Sequence, residues 1–189
     1  LAISKEKIVQ ASIEILNRDG IDCLTTRELA KELGIKSASL YWHIKNMQDL
    51  YGLIAEQLCS EMEITCDRSN AKEYLYEMNT KYRAKLLKIR DSVEIMIRSV
   101  PNTPNRIKII KDTMDCLSRL GIKDKNRITA ANLLNNYVLS FVADEIRIKF
   151  SPPEKIESLN SLFGVMVVGD FDQQFLYGLN VLFAGFKTV

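Results

Sequence analysis

Nine consecutive residues carry the most unusual chemistry of this chain: Ser37-Ala38-Ser39-Leu40-Tyr41-Trp42-His43-Ile44-Lys45. Leu40 and Ile44 lie four apart, so on a helix they share one face and pack inward together. Tyr41, Trp42 and His43 cannot all turn inward with that pair. The stretch reads as one short helix that shows small residues, hydroxyls, aromatics, an imidazole and an ammonium to the outside. Small residues let a helix approach another surface closely. Hydroxyl, aromatic and basic groups then contact phosphates, base edges and thymine methyls. The pattern fits a recognition helix in a DNA major groove; a core helix with an untidy edge is the plainer reading of the same residues.

The preceding elements are those that would position such a helix. Lys5 to Asn17 carries Ile8, Ala11, Ser12, Ile15 and Leu16 at helical spacing. Ser4 is placed to cap it, and Gly20 to end it in a left-handed turn. Thr25 and Glu28 have the spacing of a capping box. Leu29, Ala30 and Leu33 point inward from the short helix that follows. Gly34-Ile35-Lys36 is a tight turn, and Ser37 is placed to cap the next helix. Two short helices joined by a glycine-containing turn make a helix-turn-helix.

Leu24-Thr25-Thr26-Arg27-Glu28-Leu29-Ala30, then Leu33-Gly34-Ile35, then Leu40-Tyr41-Trp42-His43-Ile44-Lys45-Asn46 resembles the N-terminal domain of the tetracycline-repressor (TetR) family. The resemblance covers about the first fifty residues. It implies DNA contacts from Thr26, Arg27, Ser37, Ala38, Ser39, Tyr41, Trp42, His43 and Lys45. Several of these make physical sense. Arg27 forks onto guanine or a phosphate. Ser37 and Thr26 donate to phosphates beside helix starts. Ala38 and Ser39 are small enough to admit the helix to the groove. Tyr41 and His43 suit phosphates. Trp42 either packs on the sugar–phosphate backbone or wedges against the first helix. A phosphate-contacting Lys of the family is replaced here by Met47, and the positions before Leu40 differ as well, so the family's operator sequence is not carried over.

The resemblance also implies a C-terminal body that binds an effector. In the drug-binding members a tetracycline–magnesium chelate meets two His, an Asn and a Phe. The matching positions here are Glu63 and Met96, Met78, and Tyr82; Thr113 and Met114 join them around the cavity, and Asp144 matches a carboxylate near metal-bound water. A thioether is no ligand for hard magnesium, which takes oxygens. The expected effector is therefore a lipophilic or aromatic compound in an adaptable, Met-rich pocket, with no metal site and no cofactor.

The rest of the chain reads as helical throughout. Asn46 to Asp67 is expected as one helix, capped by Asn46, with Asp49 near the positive end of its dipole. Lys72 to Ile89 follows, then a short helix through Val93 to Ile97. Pro104 to Leu120 follows next, with Ile107, Ile110, Met114 and Leu117 as its buried face. Asp124 to Phe150 is apolar on more than one side, which predicts cover all round. Val165-Met166-Val167-Val168 alone suggests a strand, but no partner strand exists, and 154–169 is read as helix. Phe171 to Phe186 closes the chain. The expected fold is all-α: a three-helix helix-turn-helix domain over 1–46 and an effector-binding and dimerisation domain over 47–189. Family members pair through the counterparts of 124–150 and 171–186, which implies a homodimer on a palindromic DNA operator.

Composition narrows the alternatives. With 47% hydrophobic residues and 26% charged, the chain is a globular one with a sizeable core. No apolar run reaches the roughly 20 residues needed to cross a bilayer, and no signal peptide is visible, so a cytoplasmic protein is expected. Net charge is only +2. Residues 1–50 hold seven basic and seven acidic residues, so the reading segment is no basic tail. Cys23, Cys59, Cys66 and Cys116 form no C-x-x-C pair. Cys59 and Cys66 would lie about 10 Å apart on one helix, too far for a bridge. Control by oxidation of either, or by a protein partner, is the alternative to a small effector. Catalysis is poorly supported, since any zinc or Ser-His-Asp site would have to borrow the single His43. No glycine-rich phosphate loop is present either.

Overall fold

The computed structural model describes residues 3–60, 62–164 and 169–186. Among them there are ten α-helices and no strand: α1 (Lys5–Asp19), α2 (Thr26–Glu32), α3 (Ser37–Leu40), α4 (Met47–Ser60), α5 (Ala71–Leu86), α6 (Ser92–Arg98), α7 (Pro104–Arg119), α8 (Asp124–Lys149), α9 (Pro153–Phe163) and α10 (Phe171–Phe186). The all-α expectation holds. Val165 to Val168, where a strand was weighed against a helix, lie outside the described residues.

The chain divides into two compact units, Leu1–Glu63 with Ala84–Asp112, and Ile64–Arg83 with Thr113–Val189. In the first unit α1 packs on α2 and α4, α2 on α3, and α4 on α6. Ile8, Ile15, Leu16, Leu29, Leu40, Ile44, Leu50 and Ile54 form its core. Burying each such aliphatic side chain stabilises the unit by about 1.5–3 kcal/mol before entropy is counted.

Gly20 ends α1 with φ 87° and ψ 176°, a conformation outside the left-handed helical turn expected there. A side chain at that position would meet the Arg90 guanidinium at 2.9 Å and the Asp91 carboxylate at 3.1 Å. Asp91 itself adopts the left-handed region, φ 58°. Its carboxylate accepts the Ile21 amide at 2.8 Å, which holds the strained residue in place.

Three of the departures from the expected pattern lie in α4, α7 and α8. First, α4 stops at Ser60 rather than Asp67. The Thr65 and Cys66 amides instead donate to the Glu77 carboxylate at 2.9 and 2.6 Å, so the chain cannot continue the helical ladder there. Cys66 therefore does not share a helix with Cys59. Second, α7 turns Ile107 and Ile110 partly outward and buries Arg106, Thr113, Cys116 and Leu117. Arg106 points inward because its guanidinium donates to the Ser99 hydroxyl at 2.8 Å and the Val100 carbonyl at 3.0 Å, satisfying the chain end of α6. Third, α8 is not covered all round within its unit: Leu134, Val138 and Val142 are buried, while Ile128 and Leu133 stay exposed.

In the second unit α8 packs on α10. Phe175, Leu179 and Phe183 of α10 are buried, with Leu176, Tyr177 and Val181 on its open side. An ion cluster, buried at Arg83 and Glu145 and open at Asp172, joins the two helices to α5. Arg83 Nε donates to Glu145 at 2.7 Å, and Arg83 Nη1 donates to Asp172 at 2.6 Å. The Phe141 and Phe175 rings lie 5.4 and 5.1 Å from the guanidinium.

Candidate nucleic-acid interface

The reading segment is held at both ends by capping bonds. Upstream, the Thr25 hydroxyl accepts the Glu28 amide at 3.1 Å. The reciprocal half of the box is replaced: Glu28 takes the Lys31 ammonium at 3.0 Å, and the Thr25 amide donates to the Cys23 carbonyl at 2.9 Å. Downstream, the Asn46 side chain accepts the Asp49 amide at 2.9 Å while Asp49 accepts the Lys45 amide at 3.0 Å. Asp49 thus anchors the backbone of Lys45 as well as sitting at the α4 start. Its spacing suggested only the second role.

Between these anchors the recognition helix is shorter than expected. α3 comprises four residues, and Tyr41 to His43 form a turn. Lys36, not Ser37, occupies the N-cap position, and no side chain caps the helix. Ser37 is its first residue instead. Beyond it the His43 and Ile44 amides both return to the Leu40 carbonyl, at 2.8 and 3.0 Å, and close the turn. Leu40 and Ile44 are both buried, as their spacing predicts. They act as two pegs, and the turn between them projects outward.

Tyr41 is 57% exposed and Trp42 88%. Trp42 is therefore no wedge against α1. Arg27, Ser37, Ala38 and Lys45 are exposed; Thr26, Ser39 and His43 are half-buried. All nine belong to the first unit. Arg18 of α1 pairs with Asp19 and with Glu32 of α2, each at 2.8 Å. A cleft of about 540 Å³ opens beside the turn, lined by Tyr41, Trp42, His43 and Lys45. Lys5, at the start of α1, and Val100, Asn102 and Thr103, between α6 and α7, line it as well. Nothing in the local pattern of those four residues marked them, since only tertiary packing brings them to the turn.

The expected effector residues are distributed over both units. Met78, Tyr82 and Thr113 of the second unit are buried, and the Thr113 hydroxyl lies 3.9 Å from the Met78 sulfur. Met114 is half-buried there. Asp144 is exposed and accepts Arg147 at 2.6 Å. In the first unit Met96 is buried in α6, and Glu63 is exposed in the chain after α4. Among the described residues no three His, Cys, Asp or Glu side chains group closely enough to hold a metal ion. No helix among them is long and apolar enough to cross a membrane.

Residues 8–54 match the bacterial regulatory proteins of the tetR family, and residues 68–158 match the tetracyclin repressor-like C-terminal domain. The class D tetracycline repressor of Escherichia coli is 26% identical over 98% of this chain and 90% of its own length. The Streptomyces coelicolor TetR family protein ActR, solved in complex with actinorhodin, superposes with a TM-score of 0.81 at 27% identity, covering 98% of this chain and 97% of that one. BioQ, solved with its double-stranded DNA operator, superposes with a TM-score of 0.78 at 26% identity over 99% of each chain. An outward turn pegged by Leu40 and Ile44, on a chain matched at both ends by these regulators, has one reading: this chain belongs to the TetR family of non-enzymatic, DNA-binding transcription regulators.

Proposed function

We propose that the protein is a homodimeric repressor that reads a palindromic operator and releases it when a small lipophilic molecule binds. The observation that carries this reading is the outward Tyr41–Trp42–His43 turn, pegged by two buried aliphatics and tied down at Lys45. A dimer must hold two such turns about 34–36 Å apart, one turn of DNA, to read a palindrome. Pairing is supported by the apolar side chains left open on α8 and α10, which include Ile128, Leu133, Tyr177 and Val181.

Effector binding is assigned to Met78, Tyr82, Thr113 and Met114 in the second unit. Thioethers and an aromatic ring suit an apolar, polarizable guest. The likeness to ActR, solved in complex with actinorhodin, supports a small-molecule guest. α5 and α7 each run from one unit into the other. A guest touching Met78 and Thr113 would therefore act on helices that continue into the DNA-reading unit. A tenfold release needs about 1.4 kcal/mol of differential affinity between the two states.

The test is a gel-shift titration on a duplex selected from a random library by the wild-type protein. Arg27→Ala or Tyr41→Ala weakens binding while sedimentation still shows a dimer. Wild-type affinity in both variants would remove the assignment of the reading turn. Tetracycline with magnesium leaves the complex intact in the same assay; release at micromolar drug would overturn the proposed pocket chemistry.

A further inference from the structure

Lys5 opens α1 and lies far from the reading turn in sequence, yet it lines the same cleft as Tyr41, His43 and Lys45. The charge balance of that cleft is cationic. Lys5 and Lys45 bring two ammonium groups, both on exposed residues. The one carboxylate among the described lining residues is Asp49, and one of its oxygens already accepts the Lys45 amide. Asp49 also sits in the first turn of α4, where the helix dipole offsets its charge. The corner between α6 and α7 also lines the cleft, through Val100 and Asn102, both exposed. This corner is held rigidly, because Arg106 donates to the Ser99 hydroxyl and the Val100 carbonyl, and Asn102 donates its amide to the Val100 carbonyl at 2.9 Å. An open, cationic, partly aromatic cleft with fixed walls, directly beside an exposed reading turn, fits an extended polyanion.

We propose that this cleft seats the sugar–phosphate backbone flanking the groove that the turn enters. Lys5 and Lys45 hold its phosphates from two separate elements, and the Asn102 amide donates from a third. The inference rests on the DNA-reading assignment and extends it from α2 and α3 to the start of α1 and the α6–α7 corner. Contacts of this kind place the protein on the duplex without reading sequence.

The test is a salt titration of binding, both to the selected duplex and to a generic duplex, with wild type, Lys5→Gln, Lys5→Arg and Asn102→Ala. Lys5→Gln in a dimer removes two phosphate contacts, so the plot of log affinity against log salt becomes shallower by about 1.8. The change appears on both duplexes, and Lys5→Arg keeps the wild-type slope. Asn102→Ala, which removes two uncharged donors from a dimer, lowers affinity roughly tenfold to a hundredfold at unchanged slope. Lys5 is exposed at a helix start and Asn102 lies in a loop, so far-ultraviolet circular dichroism should match wild type for both. Wild-type slope and affinity in Lys5→Gln and Asn102→Ala, with Arg27→Ala still defective, would overturn the cleft proposal alone. An Arg27→Ala variant with full affinity would instead strike the reading turn itself.

Discussion

Glu56 on α4 accepts the backbone amide of Asn105, the second residue of α7, at 3.0 Å, and the Asn105 side-chain amide at 2.7 Å. A carboxylate from one helix thus closes the start of another, where unpaired amides and the dipole both favour negative charge. Burial pushes the Glu56 carboxyl upward, but the Thr103 hydroxyl and the Asn105 donors outweigh it and hold the group below its usual range. A depressed carboxyl stabilises the fold above the unfolded pKa, about 4.5, and that stability is lost as pH falls through the folded value. Glu56→Ala should cost about 1–2 kcal/mol at neutral pH in urea unfolding. Glu56→Gln should flatten the acid side of the stability profile; an unchanged profile would refute the capping role.

Arg83 is the anchor of the second unit. Glu145 is only 1% exposed, so removing Arg83 leaves a buried carboxylate whose remaining partner is the half-exposed Lys149 ammonium at 2.6 Å. Arg83→Ala should therefore destabilise by about 3–5 kcal/mol, and Arg83→Met with Glu145→Leu should recover most of that loss. Asp172 is largely exposed, and Asp172→Asn should cost no more than about 1 kcal/mol. Equal losses in the single and double variants would show that the charge pair is not what matters.

Trp42 and Leu40 are two residues apart and should behave as opposites. Trp42→Ala removes an exposed ring, so unfolding free energy stays within about 0.5 kcal/mol of wild type while DNA affinity falls. Leu40→Ala empties a core position and should cost about 2–5 kcal/mol. A large stability loss in Trp42→Ala would mean that its ring supports the fold after all.

Burial pushes the Cys59 thiol up to about 12, and burial with nearby Glu77, Glu73 and Asp67 raises Cys66 as well. Thiols are inert where the thiolate is suppressed. Under native, mildly alkaline conditions iodoacetamide should modify the exposed Cys23 first and leave Cys59 untouched until the protein unfolds. Rapid native modification of Cys59 would favour control by oxidation over a small effector.

Tyr177, 72% exposed on α10, tests the dimer. Tyr177→Glu or Val181→Glu places a charge on the open apolar side without touching Phe175, Leu179 or Phe183. Both should sediment as monomers with undiminished helix content and bind the selected duplex weakly. Dimers at wild-type strength would exclude this face of α10 from the subunit contact.

Much of the DNA-reading unit was legible in the residues themselves. The four-residue spacing of Leu40 and Ile44, and the caps at Ser4, Thr25 and Asn46, report interactions within one or two helical turns. Such interactions depend on neighbours in the chain, so the chain alone specifies them. The candidate contacts Arg27, Tyr41, Trp42 and Lys45 came from the family resemblance laid on that frame, and the structure leaves all four exposed.

What the tertiary structure decided was every choice between a local partner and a distant one. The 46–67 helix stops at Ser60 as Glu77 takes the Thr65 and Cys66 amides. The inward face of α7 is set by Arg106, which turns toward the end of α6 rather than to water. Lys5 and Asn102 join the reading turn only through packing. Periodicity records which residues share a face of one helix; it holds no information on which backbone groups another segment will satisfy. Those long-range hydrogen bonds ended the helices, rotated them and built the cleft.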